Sequence, residues 1–361
     1  MTTPASGCAA EDVAWLRVED RSAPGQVRRQ VTALAERLGF SEERRGEIGV
    51  AATELATNLH LHAEAGTVAV RIVRSGAMAA VELVAVDGGP GIADLRSVMA
   101  DGFSTAGTLG VGLGAVRRIA TRCDAFSVVG RGTVIVATFW PDAAPRDPGG
   151  PGSGGSGSGG SGSGGSGGST DVEGMTRPIN GETVCGDAWA CRYDGAVTTL
   201  VVADGLGHGP LAATASQRAI ATFDGAELEE PGQLLDRMDR ALGGTRGAAV
   251  SVARIDMAAR KVLFAGVGNV AGWIDDGARR RPMVTFPGIV GQNRSKRIRQ
   301  LDYEVAPGSL VVLHSDGLTG KWALTDYPTV RRHDPLVIAA CLMRDAGIRH
   351  DDASVVVARA S

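Results

Sequence analysis

The chain has 361 residues, of which 43% are hydrophobic and 21% charged, and its formal net charge is −3. This composition is typical of a soluble globular protein with roughly two domains. The small net charge, without a basic tract and interleaved aromatic residues, argues against a nucleic-acid partner. No apolar run approaches the roughly 20 residues of a membrane span, and the N-terminus lacks a signal pattern, so we expect a cytoplasmic protein with no membrane partner.

The five cysteines show neither a C-x-x-C pair nor a C-x5-R phosphate loop. This spacing predicts reduced thiols that pack inside the protein, instead of disulfides or a zinc site. It also argues against a phosphatase with a cysteine nucleophile.

The first part of the chain alternates helical and strand patterns. Residues 23–40 and 41–66 read as two helices, with Ser41 as the N-cap of the second. Ile48, Ala52, Leu55 and Leu59 have the spacing of a buried face. Strands are predicted at 68–73, 80–86, 126–129 and 134–140, with a helix at 113–122. The pattern predicts an α/β two-layer sandwich.

Polar and glycine residues recur at the ends of these elements. Glu54 and Asn58 lie at i and i+4, hence on one face of the helix. These two residues either belong to a binding site or form an ordinary solvent-exposed polar face. Asp87 ends a buried strand, and free N–H groups at a helix start can bind phosphate. The candidate nucleotide-binding residues are Asn58, Asp87, Gly89, Gly91, Gly110, Gly112, Gly114 and Thr133. No P-loop motif is present.

The motifs "ELATNLHLHA", "DGGPGI" and "FSTAGTLGVGLGAVRRI" occur in this order. With them, the stretch from about residue 14 to 140 resembles the GHKL (Bergerat-fold) ATP-binding superfamily, and within it the switch serine kinases of the RsbT and RsbW type. The resemblance implies ATP with Mg²⁺ as cofactor, Mg²⁺ on Asn58, adenine on Asp87, and Glu54 as the catalytic base toward a serine hydroxyl.

A Gly/Ser-rich stretch then separates two parts of the chain. Residues 149–169 contain nothing that could bury surface, so we expect a flexible tether, whether native or engineered. The predicted organisation is an ATP-binding domain at 1–145, a linker at 146–172 and a second domain at 173–361.

Aspartates mark several strand ends in the second part. The stretch "VVADGLGHGP" places Asp204 directly after a strand that is apolar on both faces, hence central in a sheet. Asp187, Asp316 and Asp351 have similar contexts, and Asp352 follows the last of them. Although a turn explains any single Asp-Gly pair, four such carboxylates suffice for a site that binds hard divalent cations. His208 is either a proton donor or a turn residue.

The motifs "CGDAWAC", "VADGLGHG", "HSDGLTG" and "DDASVVV" make the second part similar to the SpoIIE/RsbX branch of the PPM (type-2C) serine/threonine phosphatases. That resemblance implies an α-β-β-α sandwich and two Mn²⁺ or Mg²⁺ ions. The metal ligands would be Asp187, Asp204, Asp316 and Asp351, with the carbonyl group of Gly205. Asp204 and Asp316 would be the principal catalytic residues.

The combined resemblance implies an enzyme of a bacterial stress or sigma-factor partner-switching pathway. Its expected partner is a phosphorylated STAS-domain antagonist or stressosome-type protein, with a sigma factor or switch protein as a further candidate. In the alternative interpretation, the first domain is a non-catalytic module that binds ATP and a partner protein.

Overall fold

The computed structural model describes residues 7–75, 78–100, 112–141, 171–227, 229–292 and 298–360, with the backbone alone at 7–9 and 75. The chain divides into two compact units. The first unit comprises Ala10–Gly160 and Tyr327–Arg344, and the second comprises Met1–Ala9, Ser161–Asp326 and Asp345–Ser361.

The first unit combines helices with an antiparallel sheet whose strand order is β1-β2-β3-β5-β4. In chain order its elements are β1 (Gly7–Arg17, residues 7–9 grouped with the second unit), α1 (Ala23–Arg37), α2 (Glu42–His62), β2 (Thr67–Ser75), β3 (Met78–Val86), α3 (Leu95–Val98), α4 (Gly112–Ile119), β4 (Arg122–Val128) and β5 (Gly132–Phe139).

Local sequence explains why α2 begins and packs where it does. The Ser41 side chain accepts a hydrogen bond from the Arg44 N–H at 3.2 Å, as the predicted N-cap requires. The four residues predicted to face the core are all buried. They pack against the alternating apolar residues of β2, β3 and β5, which gives the predicted two layers.

The second unit contains two antiparallel sheets. Its elements are β6 (Asp171–Arg177), β7 (Asp187–Asp194), β8 (Val197–Gly205), α5 (Gly209–Asp224), α6 (Pro231–Ala241), β9 (Ala248–Asp256), β10 (Lys261–Val267), β11 (Ala271–Asp275), β12 (Arg280–Met283), β13 (Leu301–Glu304), β14 (Leu310–His314) and β15 (Ala353–Arg359). One sheet has the order β13-β10-β9-β8-β7 and the other β12-β11-β14-β15-β6.

Alternating side chains of β8 enter two different cores. Leu200 and Val202 pack between the two sheets, whereas Val201 and Ala203 pack under α5 and α6 on the other face. Because both faces are covered, β8 must be apolar throughout, and it lies between β7 and β9 as predicted.

The mixed α/β fold class with antiparallel sheets is confirmed. Several details differ from the sequence interpretation. The strands β1, β6, β12 and β13 were not predicted: β12 and β13 have only four residues each, and charged residues interrupt β1 and β6. The helix α7 (Pro335–Ala346) falls within the predicted second domain, and the compact units divide it, with Tyr327–Arg344 in the first unit. Finally, Cys191 is in a disulfide, which the cysteine spacing did not predict, whereas Cys123, Cys185 and Cys341 form no disulfide.

Candidate functional sites

Four aspartates, here called the acidic cluster, lie at strand ends of the second unit: Asp187, Asp204, Asp316 and Asp351. Asp187 opens β7 and is the direct cross-strand partner of Asp204 on β8. Asp316 follows β14 and Asp351 precedes β15, which are neighbouring antiparallel strands. The fold therefore brings residues from distant parts of the sequence to a shared region.

Asp187 is the most deeply buried member of the acidic cluster, at 5% exposure. Neither of its carboxylate oxygens has a well-formed hydrogen bond within the described structure. Burial raises the pKa of Asp187, the nearby Ser315 and Ser354 hydroxyls lower it, and the charge of Asp316 raises it. The side chain is thus a buried acceptor whose negative charge the surrounding residues compensate only in part.

The other members add further negative charge. Burial, followed by the charges of Asp187 and Asp316, raises the pKa of Asp204. Burial and the charge of Asp316 raise the pKa of Asp351 as well. Because like charges at close range disfavour each other, a cation would stabilise this arrangement.

Asp316 itself is exposed, so the acidic cluster opens to solvent on its side. Its Oδ2 accepts a hydrogen bond from Asn269 Nδ2. His208, at the N-terminus of α5, is also exposed, and its Nδ1 lies 3.3 Å from Glu182 Oε1. Sequence reasoning missed Asn269, because a single asparagine in a loop carries no local signal.

Asp352, next to Asp351, is a structural residue. Its Oδ1 accepts a hydrogen bond from the Ile179 N–H at 2.8 Å, and its Oδ2 accepts one from the Gly186 N–H at 2.9 Å. Both donors precede Asp187 in the chain. The Asp352 carboxylate therefore fixes the segment that carries Asp187.

Gly205 follows Asp204 at the end of β8, where α5 approaches closely. A Cβ on Gly205 would lie 2.1 Å from the Ala212 carbonyl oxygen. Only glycine allows this packing, which brings α5 beside the acidic cluster.

The donor set of the acidic cluster fits hard divalent cations. All of its side chains offer oxygen, and the buried Asp187 carboxylate lacks a partner. Among the described residues, however, no three His, Cys, Asp or Glu side chains meet the spacing of a complete metal site. The metal assignment therefore remains a proposal.

A second candidate site surrounds Asp87 in the first unit. Asp87 follows β3, is 7% exposed, and its Oδ1 accepts a hydrogen bond from the Gly89 N–H at 2.8 Å. Burial raises the pKa of Asp87. A buried, oriented carboxylate of this kind suits the amino group of a base, which is the predicted role.

The first two residues of β5 pack tightly on the Asp87 backbone. The Asp87 N–H donates to the Thr133 carbonyl oxygen at 3.0 Å. Gly132 has a φ of +92°, and a Cβ there would lie 2.0 Å from the Asp87 carbonyl oxygen. The Thr133 hydroxyl group also forms a 3.0 Å hydrogen bond with the Ser127 hydroxyl group. Sequence reasoning did not identify Ser127. Gly132 and Thr133 thus hold Asp87 in place.

Glu54 and Asn58 lie on α2, both partly exposed, as their helical spacing predicted. Gly112 opens α4, and Gly114 is buried within it. Gly110 lies outside the described residues. The structure therefore contains the acidic residue, the asparagine and part of the second glycine motif, whereas their roles toward a nucleotide remain predictions.

The free cysteines are poor nucleophiles. Burial raises the pKa of the Cys123 thiol to about 12, and burial followed by the charge of Asp187 raises that of Cys185. Since the thiolate is the reactive form, these two thiols are inert near neutral pH.

Comparison with known proteins assigns both parts of the chain. Residues 18–139 match the histidine kinase-like ATPase domain family. The serine/threonine-protein kinase RsbT of Bacillus subtilis (strain 168) is 41% identical over 107 residues, which cover 30% of this chain and 80% of RsbT. The chain belongs to the RsbT family.

Beyond this RsbT-family part, residues 194–361 match the Stage II sporulation protein E (SpoIIE) family. Phosphoserine phosphatase RsbX of Bacillus subtilis (strain 168) is 27% identical over 155 residues, 42% of this chain and 73% of RsbX. A crystal structure of RsbX in complex with magnesium has 21% identity and a TM-score of 0.48, covering 53% of this chain and 96% of that one.

This RsbT-family chain therefore joins a kinase-like ATPase domain to a PPM-type serine/threonine phosphatase domain. Among its described residues, no helix is long and apolar enough to cross a membrane.

Proposed function

We propose that this protein resets a phosphorylation switch by hydrolysing phosphoserine or phosphothreonine on a partner protein. The observation that carries the proposal is the acidic cluster, in which the buried Asp187 carboxylate lies opposite Asp204 and has only the nearby Ser315 and Ser354 hydroxyls to offset its charge. A buried carboxylate whose charge is only partly compensated is costly, so a function that needs the charge is the simplest reason to keep it.

Asp187, Asp204, Asp316 and Asp351, with the Gly205 carbonyl group, would hold two Mn²⁺ or Mg²⁺ ions. Such ions lower the pKa of the attacking water and neutralise the phosphoryl oxygens. The protein's own contribution is positioning. Asp352 fixes the segment before Asp187, and the exposed side of Asp316 leaves room for a phosphorylated side chain to enter.

In the first unit, Asp87 would bind adenine and Asn58 the Mg²⁺ of ATP, beside Gly89, Gly91 and the α4 glycines. Glu54 shares the α2 face of Asn58, where its carboxylate could accept the proton of a substrate serine hydroxyl group. The first unit would therefore phosphorylate either the same protein that the second unit dephosphorylates or a protein bound to that substrate.

We infer the partner class from the relatives. RsbT is named a serine/threonine-protein kinase and RsbX a phosphoserine phosphatase. A STAS-domain antagonist or stressosome-type protein, in a stress or sigma-factor switching pathway, is the partner that accommodates both activities on one chain.

Phosphate release from phosphoserine, phosphothreonine and phosphotyrosine peptides by the full chain tests the proposal. We expect turnover of the first two, and its loss in Asp316→Asn. Equal turnover by this variant and the unmodified chain would contradict the assignment of the acidic cluster.

A further inference from the structure

The segment Tyr327–Arg344, here called the inserted segment, lies within the SpoIIE-family match but is grouped with the first unit. In the chain it falls between Asp316 and Asp351 of the acidic cluster. The backbone therefore connects its two ends to these two aspartates.

The middle of the inserted segment binds to β4 through buried polar contacts. The two Asp124 carboxylate oxygens contact His333 Nδ1 and the Asp334 N–H, each at 2.8 Å. Arg122 forms an ion pair with Asp334, and Phe126 packs edge-on against the His333 ring at 5.1 Å.

These contacts are either made together or lost together. Asp124 and Asp334 are 5% and 6% exposed, so release of the segment would break two hydrogen bonds and an ion pair at once and would expose both carboxylates to water. Because these contacts share the same two carboxylates, we expect the inserted segment to have distinct bound and released states.

The C-terminal end of the inserted segment reaches the candidate adenine residue. Arg344 Nη1 donates a hydrogen bond to the Asp87 carbonyl oxygen at 3.2 Å. Gly132 packs on this same carbonyl group. A ligand that orders the Asp87 backbone will therefore stabilise the Arg344 contact, and with it the bound state of the inserted segment.

We propose that the inserted segment couples nucleotide binding at Asp87 to the acidic cluster, which makes this a nucleotide-controlled phosphatase. The proposal rests on the nucleotide site proposed above. Coupling of this kind is reciprocal, so occupancy of the acidic cluster must change nucleotide affinity by the same factor.

Hydrogen exchange of the full chain, with and without the Mg²⁺ complex of a non-hydrolysable ATP analogue, tests the coupling. We expect the analogue to slow exchange of the inserted segment's amides by about fivefold or more. In Arg344→Ala the analogue should still bind, but the slowing should disappear. Arg332→Ala, an exposed arginine of the same segment, is the matched control and should behave like the unmodified chain.

A second readout follows hydrolysis of a small aryl phosphate. We expect the analogue to change kcat by about fivefold in the unmodified chain and in Arg332→Ala, but not in Arg344→Ala. Measurable analogue binding with unchanged exchange in the unmodified chain would overturn the coupling alone. Absence of analogue binding would overturn the nucleotide site, and the coupling with it.

Discussion

Asp187 and Asp204 face each other directly across β7 and β8, so two carboxylates lie side by side at one end of this strand pair. The charges that act on these two carboxylates are those of other aspartates. If the pair binds a divalent cation as proposed, substitution of either aspartate should lower phosphatase turnover.

Asp204→Asn should lower phosphatase turnover by at least about 100-fold, because the loss of an anionic ligand weakens a site for hard cations. Steady-state kinetics on a phosphoserine peptide give the rate, and circular dichroism checks that the fold is intact. Asp194→Asn, an exposed aspartate at the other end of β7, is the control and should keep full turnover.

Asp352→Ala should lower the free energy of unfolding by about 1–3 kcal/mol, since two backbone N–H groups lose their acceptor. Asp352→Asn should cost less, because its remaining amide oxygen still accepts one bond. Urea denaturation measures both. Unchanged stability in Asp352→Ala would contradict the structural role given to this carboxylate.

Asn58→Ala and Asp87→Ala should each weaken ATP binding, whereas Glu54→Ala should preserve binding and reduce phosphoryl transfer to a STAS protein. The separation follows from the assigned roles of cofactor ligand and base. Isothermal titration gives the affinities, and transfer of labelled phosphate gives the rates.

Glu43→Ala, an exposed position in the first turn of α2, is the control for these variants. Normal transfer by Glu54→Ala would exclude it as the base. If no substrate is ever phosphorylated although ATP binds, the first unit is a binding module without kinase activity.

Gly132→Ala should destabilise the first unit and reduce nucleotide affinity, because its Cβ would overlap the Asp87 carbonyl oxygen. Gly130→Ala is a matched control, with a φ of +78° but no atom within 4 Å of the added Cβ. Both substitutions force alanine into a left-handed backbone conformation. We expect Gly132→Ala to lower the free energy of unfolding by about 1–3 kcal/mol more than Gly130→Ala, as measured by thermal unfolding.

The features predictable from sequence were those with a local signature. The doubly apolar β8 followed by Asp204, the Ser41 cap and the buried stripe of α2 are each defined by neighbouring residues, and the structure contains them all. Aspartates repeated at strand ends were sufficient to suggest one acidic region.

The missing features depend on contacts between distant residues. Asn269 beside Asp316, and Arg344 at the carbonyl group of Asp87, have no local pattern that marks them. The grouping of Tyr327–Arg344 with the first unit could not be predicted for the same reason, because a helical sequence pattern does not identify the unit that the helix joins.

Metal dependence of phosphoserine hydrolysis tests the central claim most directly. The full chain is stripped with EDTA, freed of chelator, and titrated with Mn²⁺ or Mg²⁺ while phosphate release is followed. We predict negligible turnover after stripping and its return with either ion, in the unmodified chain but not in Asp204→Asn. Hydrolysis by the stripped protein at the untreated rate would contradict a divalent-cation site at Asp187 and Asp204.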